Sequence, residues 1–209
     1  IPLRLVGSEM CIRDRKAFIT PFSVAELNTV LEQIDRSDFA GLRDATAIEL
    51  LYGTGIRQAE LIGLKTSDID WAQGQMRVLG KRNKERLVPI IPALATTLKH
   101  YVTQRKNWPG TSVHSFLLVT NKGNKTYPAF VYRLIKTYFR SVSNKISTSP
   151  HVLRHSFATH MLDAGADINV VKEILGHESL AATQEYTKVQ LPKVPVSYTH
   201  LTLPTKRIV

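Results

Sequence analysis

The sequence predicts a mainly α-helical domain carrying one small antiparallel β-sheet, an α+β fold. Apolar residues recur at three- and four-residue spacing through most of the chain, which gathers them on one face of a helix. The period falls to two only between Gln75 and Ile90, on either side of a polar stretch. Glycine and proline mark the joints between these patterns, at Gly53, Gly55, Pro92, Gly165 and Gly176. There is no internal repeat.

The elements follow in order. Ser23-Val-Ala-Glu26 is a capping box, in which the serine accepts from the third helical N–H and the glutamate reaches back. The helix behind it carries Leu27, Val30, Leu31 and Ile34 on one face. A second helix is expected from about Leu42 to Tyr52, broken by Gly53 and Gly55, and a short third follows Arg57 with Leu61, Ile62 and Leu64. Gln75–Leu79 and Arg86–Ile90 read as strands joined by the polar hairpin Gly80–Glu85. Pro92 opens a helix to about Arg105, and Phe116–Val119 is a short strand or extended segment. Four further helices are expected, at about Ala129–Val142, His151–Ala164, Ile168–Leu175 and Ser179–Val189.

Both ends depart from these patterns. Residues 1–15 and roughly 194–209 carry no helical or strand period, and the run from Ser197 to Val209 reads as translated sequencing adapter rather than evolved protein. The body is therefore expected to span residues 16–193. The basic excess does not depend on the ends. The first carries Arg4, Arg13 and Arg15 against Glu9 and Asp14, and the last adds only Lys206 and Arg207.

Bulk properties narrow the function classes. A formal charge of +11 favours a polyanionic partner, most often nucleic acid. No apolar run approaches the roughly 20 residues of a membrane span, and the first residues lack the apolar stretch of a signal peptide. A single cysteine, Cys11, supports neither a disulfide framework nor a multi-cysteine zinc site. A cytoplasmic protein with no membrane partner is expected.

Three stretches carry candidate chemistry. In Tyr52-Gly-Thr-Gly-Ile-Arg57, two glycines end one helix and an arginine starts the next, so helix N–H groups and a guanidinium share one space suited to an oxyanion. Taken alone, this reads first as an ordinary helix–turn–helix with a solvated arginine. In Pro150-His-Val-Leu-Arg-His-Ser-Phe-Ala-Thr-His160, helical spacing puts His151 and Arg154 on one face. There Arg154 offers a fork that donates to two phosphate oxygens. His155, at i+4 from His151, is either half of a metal pair or a core histidine, and His160 is structural or superficial. In Leu175-Gly-His177, a histidine follows a glycine at a helix boundary. Tyr186, in the next helix, would by itself be read as packing.

Taken together and in this order, Arg57, the hairpin lysine Lys81, His151 with Arg154, His177 and Tyr186 resemble the tyrosine recombinase (phage integrase) family. The Gly53–Leu61, Pro150–Thr159 and Leu175–His177 stretches look most like its bacterial Xer-type branch. The resemblance covers about residues 20–190 and implies the tyrosine recombinase catalytic-domain fold. It also implies six active-site positions, namely Arg57, Lys81, His151, Arg154, His177 and Tyr186. Arg57 and Arg154 would clamp the non-bridging phosphate oxygens, and His177 would add a hydrogen bond. Tyr186 would attack phosphorus, with His151 as its base and Lys81 as the acid for the leaving 5′ oxygen. No metal, ATP or other cofactor is implied. The partners implied are double-stranded DNA and further recombinase subunits in a synaptic tetramer.

Two departures stand out. Arg82 occupies a place where the family often has glycine, with Lys84 the weaker candidate for the acid. The helical DNA-clamping domain that usually precedes this one, and most of the C-terminal docking segment, are expected to be missing. Arg82, Lys84 and Arg86 beside the site either track the DNA backbone or form a solvated hairpin. Three rival readings are a metal-dependent nuclease or phosphatase, a type IB topoisomerase and a non-catalytic DNA-binding module. The first lacks the clustered carboxylates that such metals want.

Overall fold

The structure, a computed structural model, describes residues 19–80, 83–111, 114–142 and 148–176. Helix α1 (Val24–Gln33) starts at the expected capping box. Ser23 accepts from the Glu26 N–H at 3.2 Å and its own N–H donates to Glu26 Oε2 at 2.7 Å. Leu27, Val30 and Leu31 are buried, so the predicted face is the core face.

Helix α2 (Phe39–Thr54) is longer than its apolar pattern suggests. Asp38 caps it early, accepting from the Gly41 N–H at 2.7 Å. Gly53 stays inside the helix, where an added Cβ would meet only Leu94, at 3.6 Å. Gly55 is the residue that ends it, in the left-handed conformation at φ +62°, with its N–H donating to Leu51 O at 3.1 Å. A side chain there would also collide with Phe157 and Leu175. Nearly all of α2 is buried, and it is the central helix against which α4 and α6 pack.

After the short α3 (Gln58–Gly63), a 3₁₀ turn (Thr66–Asp68) leads into a three-stranded antiparallel sheet in the order β1–β2–β3. β1 (Ile69–Asp70) was not anticipated, since two residues are too few to show a period. β2 (Gln75–Leu79) and β3 (Glu85–Pro89) pair with Met76 opposite Val88 and Val78 opposite Arg86. Met76, Val78 and Val88 face the core, whereas Leu79 and Leu87 lie on the outer face. The Phe116–Val119 segment is extended and makes two isolated bridges, Lys65 with Phe116 and Val119 with Lys125.

The remaining helices are α4 (Pro92–Lys106), α5 (Pro128–Arg140), α6 (Pro150–Asp163) and α7 (Ile168–Leu175). The first three open on proline, whose fixed φ suits a first helical turn. One core runs through the molecule, from Phe22 and Leu27 through Ile48, Leu51 and Leu98 to Phe139, Leu153 and Leu175. Among the described residues no helix is long and apolar enough to cross a membrane. The helix expected at Ser179–Val189 lies outside the described residues.

Candidate active site

The site is built around the end of α7. The last carbonyls of a helix have no partner within it and carry the negative end of its dipole. Here a left-handed Gly176 (φ +64°) ends the helix, and three arginines from three other elements each take one carbonyl. Arg86 of β3 donates from Nε to Ile174 O at 2.7 Å. Arg154 of α6 donates from Nη2 to Leu175 O at 2.7 Å. Arg57, the N-cap of α3, donates from Nη2 to Gly176 O at 3.2 Å.

Two of these arginines are held very differently. Arg154 is 3% exposed, and its Nη1 also donates to Gly55 O at 2.6 Å. It therefore ties the glycine turn after α2 to the end of α7. Arg57 keeps 41% of its side chain exposed and leans on Glu60. Its backbone N–H donates to Glu60 Oε2 and its Nη1 to Glu60 Oε1, both at 2.8 Å.

Glu60 is buried beneath Arg57 and receives a second cation. The Arg86 fork donates from Nη1 to Oε1 at 3.0 Å and from Nη2 to Oε2 at 2.7 Å. Burial works to raise the Glu60 pKa. The hydrogen bonds from Arg86 and Arg57, with the Arg86 charge, outweigh it and hold the carboxyl below its ordinary value.

The structure thus brings together Arg57 and Arg154, with His151 exposed one helical turn before Arg154 on α6. Lys81, Arg82, His177 and Tyr186 lie outside the described residues, although Gly80 and Gly176, the residues before Lys81 and His177, are described. Lys84 is exposed, and its carbonyl closes the hairpin by accepting from the Gly80 N–H at 2.8 Å.

Arg86, grouped by sequence with Arg82 and Lys84, is turned inward instead, with 12% of its side chain exposed. Strand alternation accounts for this, since residues 86, 88 and 90 share a face and Val88 and Ile90 are buried. Sequence reading missed the part played by Glu60 and Arg86. A signal for each was present, in an acid three residues after a helix start and in a charge on the apolar face of a strand.

The other histidines of α6 serve the core. His155 is 5% exposed. His160 pairs through Nδ1 with the Tyr52 hydroxyl at 2.9 Å, their rings edge to face. Burial pushes the Tyr52 hydroxyl pKa up to about 12.

Residues 17–191 match the model of the phage integrase family. The chain is 41% identical to tyrosine recombinase XerC of Chlorobaculum parvum over 165 residues, which are 77% of this chain and 49% of that protein. Among solved structures it is similar to the XerA recombinase (29% identity, TM-score 0.72, covering 82% of this chain and 59% of that one). It is also similar to the XerH site-specific recombinase bound to palindromic difH substrate in a post-cleavage complex (27% identity, TM-score 0.72, covering 82% and 50%). The chain spans about half the length of the curated relatives it matches. With the fold and the paired arginines in place, the chain belongs to the phage integrase family of tyrosine recombinases, in its Xer-type branch.

Proposed function

We propose that this chain is the catalytic domain, residues 16–193, of a site-specific DNA recombinase that cuts and rejoins strands through a 3′-phosphotyrosyl link on Tyr186. One observation carries the reading. Arg57 and Arg154, distant in sequence, converge on the neighbouring carbonyls Gly176 O and Leu175 O. Two fixed guanidiniums side by side suit the two non-bridging oxygens of a phosphodiester, and their charge stabilises the extra negative charge of the transition state.

The remaining roles are those the family resemblance implies. The Tyr186 oxygen bonds to phosphorus as the bond to the 5′ oxygen breaks. A free tyrosine holds its proton to a pKa of about 10, so a base is needed, and His151 on the Arg154 face of α6 is assigned to it. The leaving 5′ oxygen takes a proton from Lys81, and His177 donates to a non-bridging oxygen. A 5′ hydroxyl from a partner strand then reverses the steps. The ester conserves the bond energy, so the reaction needs neither metal nor ATP.

The substrate is double-stranded DNA. Arg82 and Lys84 track its backbone, while Arg86 acts from beneath the site. Exchange between two duplexes requires further subunits, in a synaptic tetramer, and the site of action is the cytoplasm. The test is the covalent adduct. With the intact gene product and DNA carrying its target, Tyr186→Phe should abolish a DNA-linked band on a denaturing gel, and a surviving band would sink the assignment.

A further inference from the structure

The Glu60–Arg86 pair is the structural hub of the site, and the family resemblance does not assign Arg86 a role. Besides holding Glu60 and Ile174 O, the Arg86 guanidinium lies against two glycines from different parts of the chain. A methyl group on Gly80 would stand 3.5 Å from Arg86 Nη1 and 3.7 Å from Glu60 Oε1. On Gly176 it would stand 3.2 Å from both Cδ and Nη1 of Arg86. Gly80 precedes Lys81, and Gly176 precedes His177. The guanidinium therefore packs in the space that a side chain at either glycine would enter. Through Glu60 it also holds Arg57, whose Nη1 shares the Oε1 atom that accepts from Arg86.

From this geometry we infer that Arg86 is a positioning residue for phosphoryl transfer. Through Glu60 it sets Arg57 against the phosphate. The inference rests on the function proposed above. Arginine is required because only a planar fork donates to both carboxylate oxygens while its Nε donates to a carbonyl. A lysine keeps the charge but has a single nitrogen, so it cannot hold three acceptors in a plane. An error of about 1 Å in placing a reacting group costs on the order of 10²-fold in rate.

The test uses Arg86→Lys in the intact gene product, with folding checked by thermal melting. Adduct formation is followed on two DNA duplexes, one ordinary and one with a methylphosphonate at the scissile position. The methyl replaces a non-bridging oxygen and removes the charge that Arg57 serves. Arg86→Lys should slow adduct formation on the order of 10²-fold on the ordinary duplex and far less on the methylphosphonate, as Arg57→Ala should. The double variant should be no slower than Arg57→Ala alone. A wild-type rate in Arg86→Lys overturns the inference. So does an equal loss on both duplexes, which is the mark of a merely structural role, or losses that multiply in the double variant. A wild-type protein that forms no adduct overturns the proposed function itself, and the inference with it.

Discussion

Arg57 and Arg154 reach consecutive carbonyls at the end of α7 yet belong to opposite environments. Arg154 is sealed in, 3% exposed, and spends its donors on carbonyls of two separate segments. Arg57 stands at the surface and leans on a carboxylate that a second arginine also holds. The same side chain therefore does different work in the two places. Arg154 is part of what holds the domain together, whereas Arg57 can be lost without leaving a buried group stranded, because Glu60 keeps Arg86.

The sharpest way to break this contrast is to remove each in turn. Arg154→Ala should cost folding and activity together. It strips the donors from Gly55 O and Leu175 O, at about 1–3 kcal/mol for each stranded carbonyl, and leaves a cavity among α2, α6 and α7. A urea titration should show the loss, and an unchanged midpoint would mean that water satisfies both carbonyls. Arg57→Ala should separate the two properties. Arg57 is half exposed and the Arg86 fork still satisfies the Glu60 carboxylate, so the melt should move little, while adduct formation should fall about 10²–10³-fold. A large drop in stability would place Arg57 in the fold after all.

A third and smaller effect distinguishes the anchors by pH. Glu60, with its pKa depressed, contributes stability that is fully present above the ordinary carboxylate value of about 4.3. That contribution is lost as pH falls through its lower folded value. The carbonyls that hold Arg154 do not titrate in this range. Urea melts between pH 6 and 3 should thus show a steeper acid loss in the wild type than in Glu60→Gln. If both lose stability alike, the Glu60 carboxylate is not what ties down Arg57.

Much of this was legible in the sequence. The bounds of α7 follow directly from its apolar period and its closing glycine, and the capping box sets the start of α1. The motifs around Arg57 and Arg154 point to one site only through the family resemblance, whereas a helix fixes the relation of His151 to Arg154 by spacing alone. What could not be read depended on contacts between segments. Asp38 extends α2 beyond its apolar pattern, and β1 is too short to have one. The Glu60–Arg86 pair joins residues 26 apart through a sheet register that only the folded chain defines. Reading Arg86 by charge suggested a surface cation, but strand alternation and burial turn it inward.

The tie made by Arg154 has a consequence for how the molecule breathes. Segments held by separate contacts open separately, each with its own amide exchange rate, while segments sharing a buried anchor open as one cooperative unit. Arg154 bonds the turn at Gly55 and the end of α7 through a single guanidinium rooted in α6. An excursion that frees one should loosen the other, so the short α7 should borrow the protection of the central helices, and hydrogen exchange should find the amides of the Gly55 turn and of α7 on a common clock.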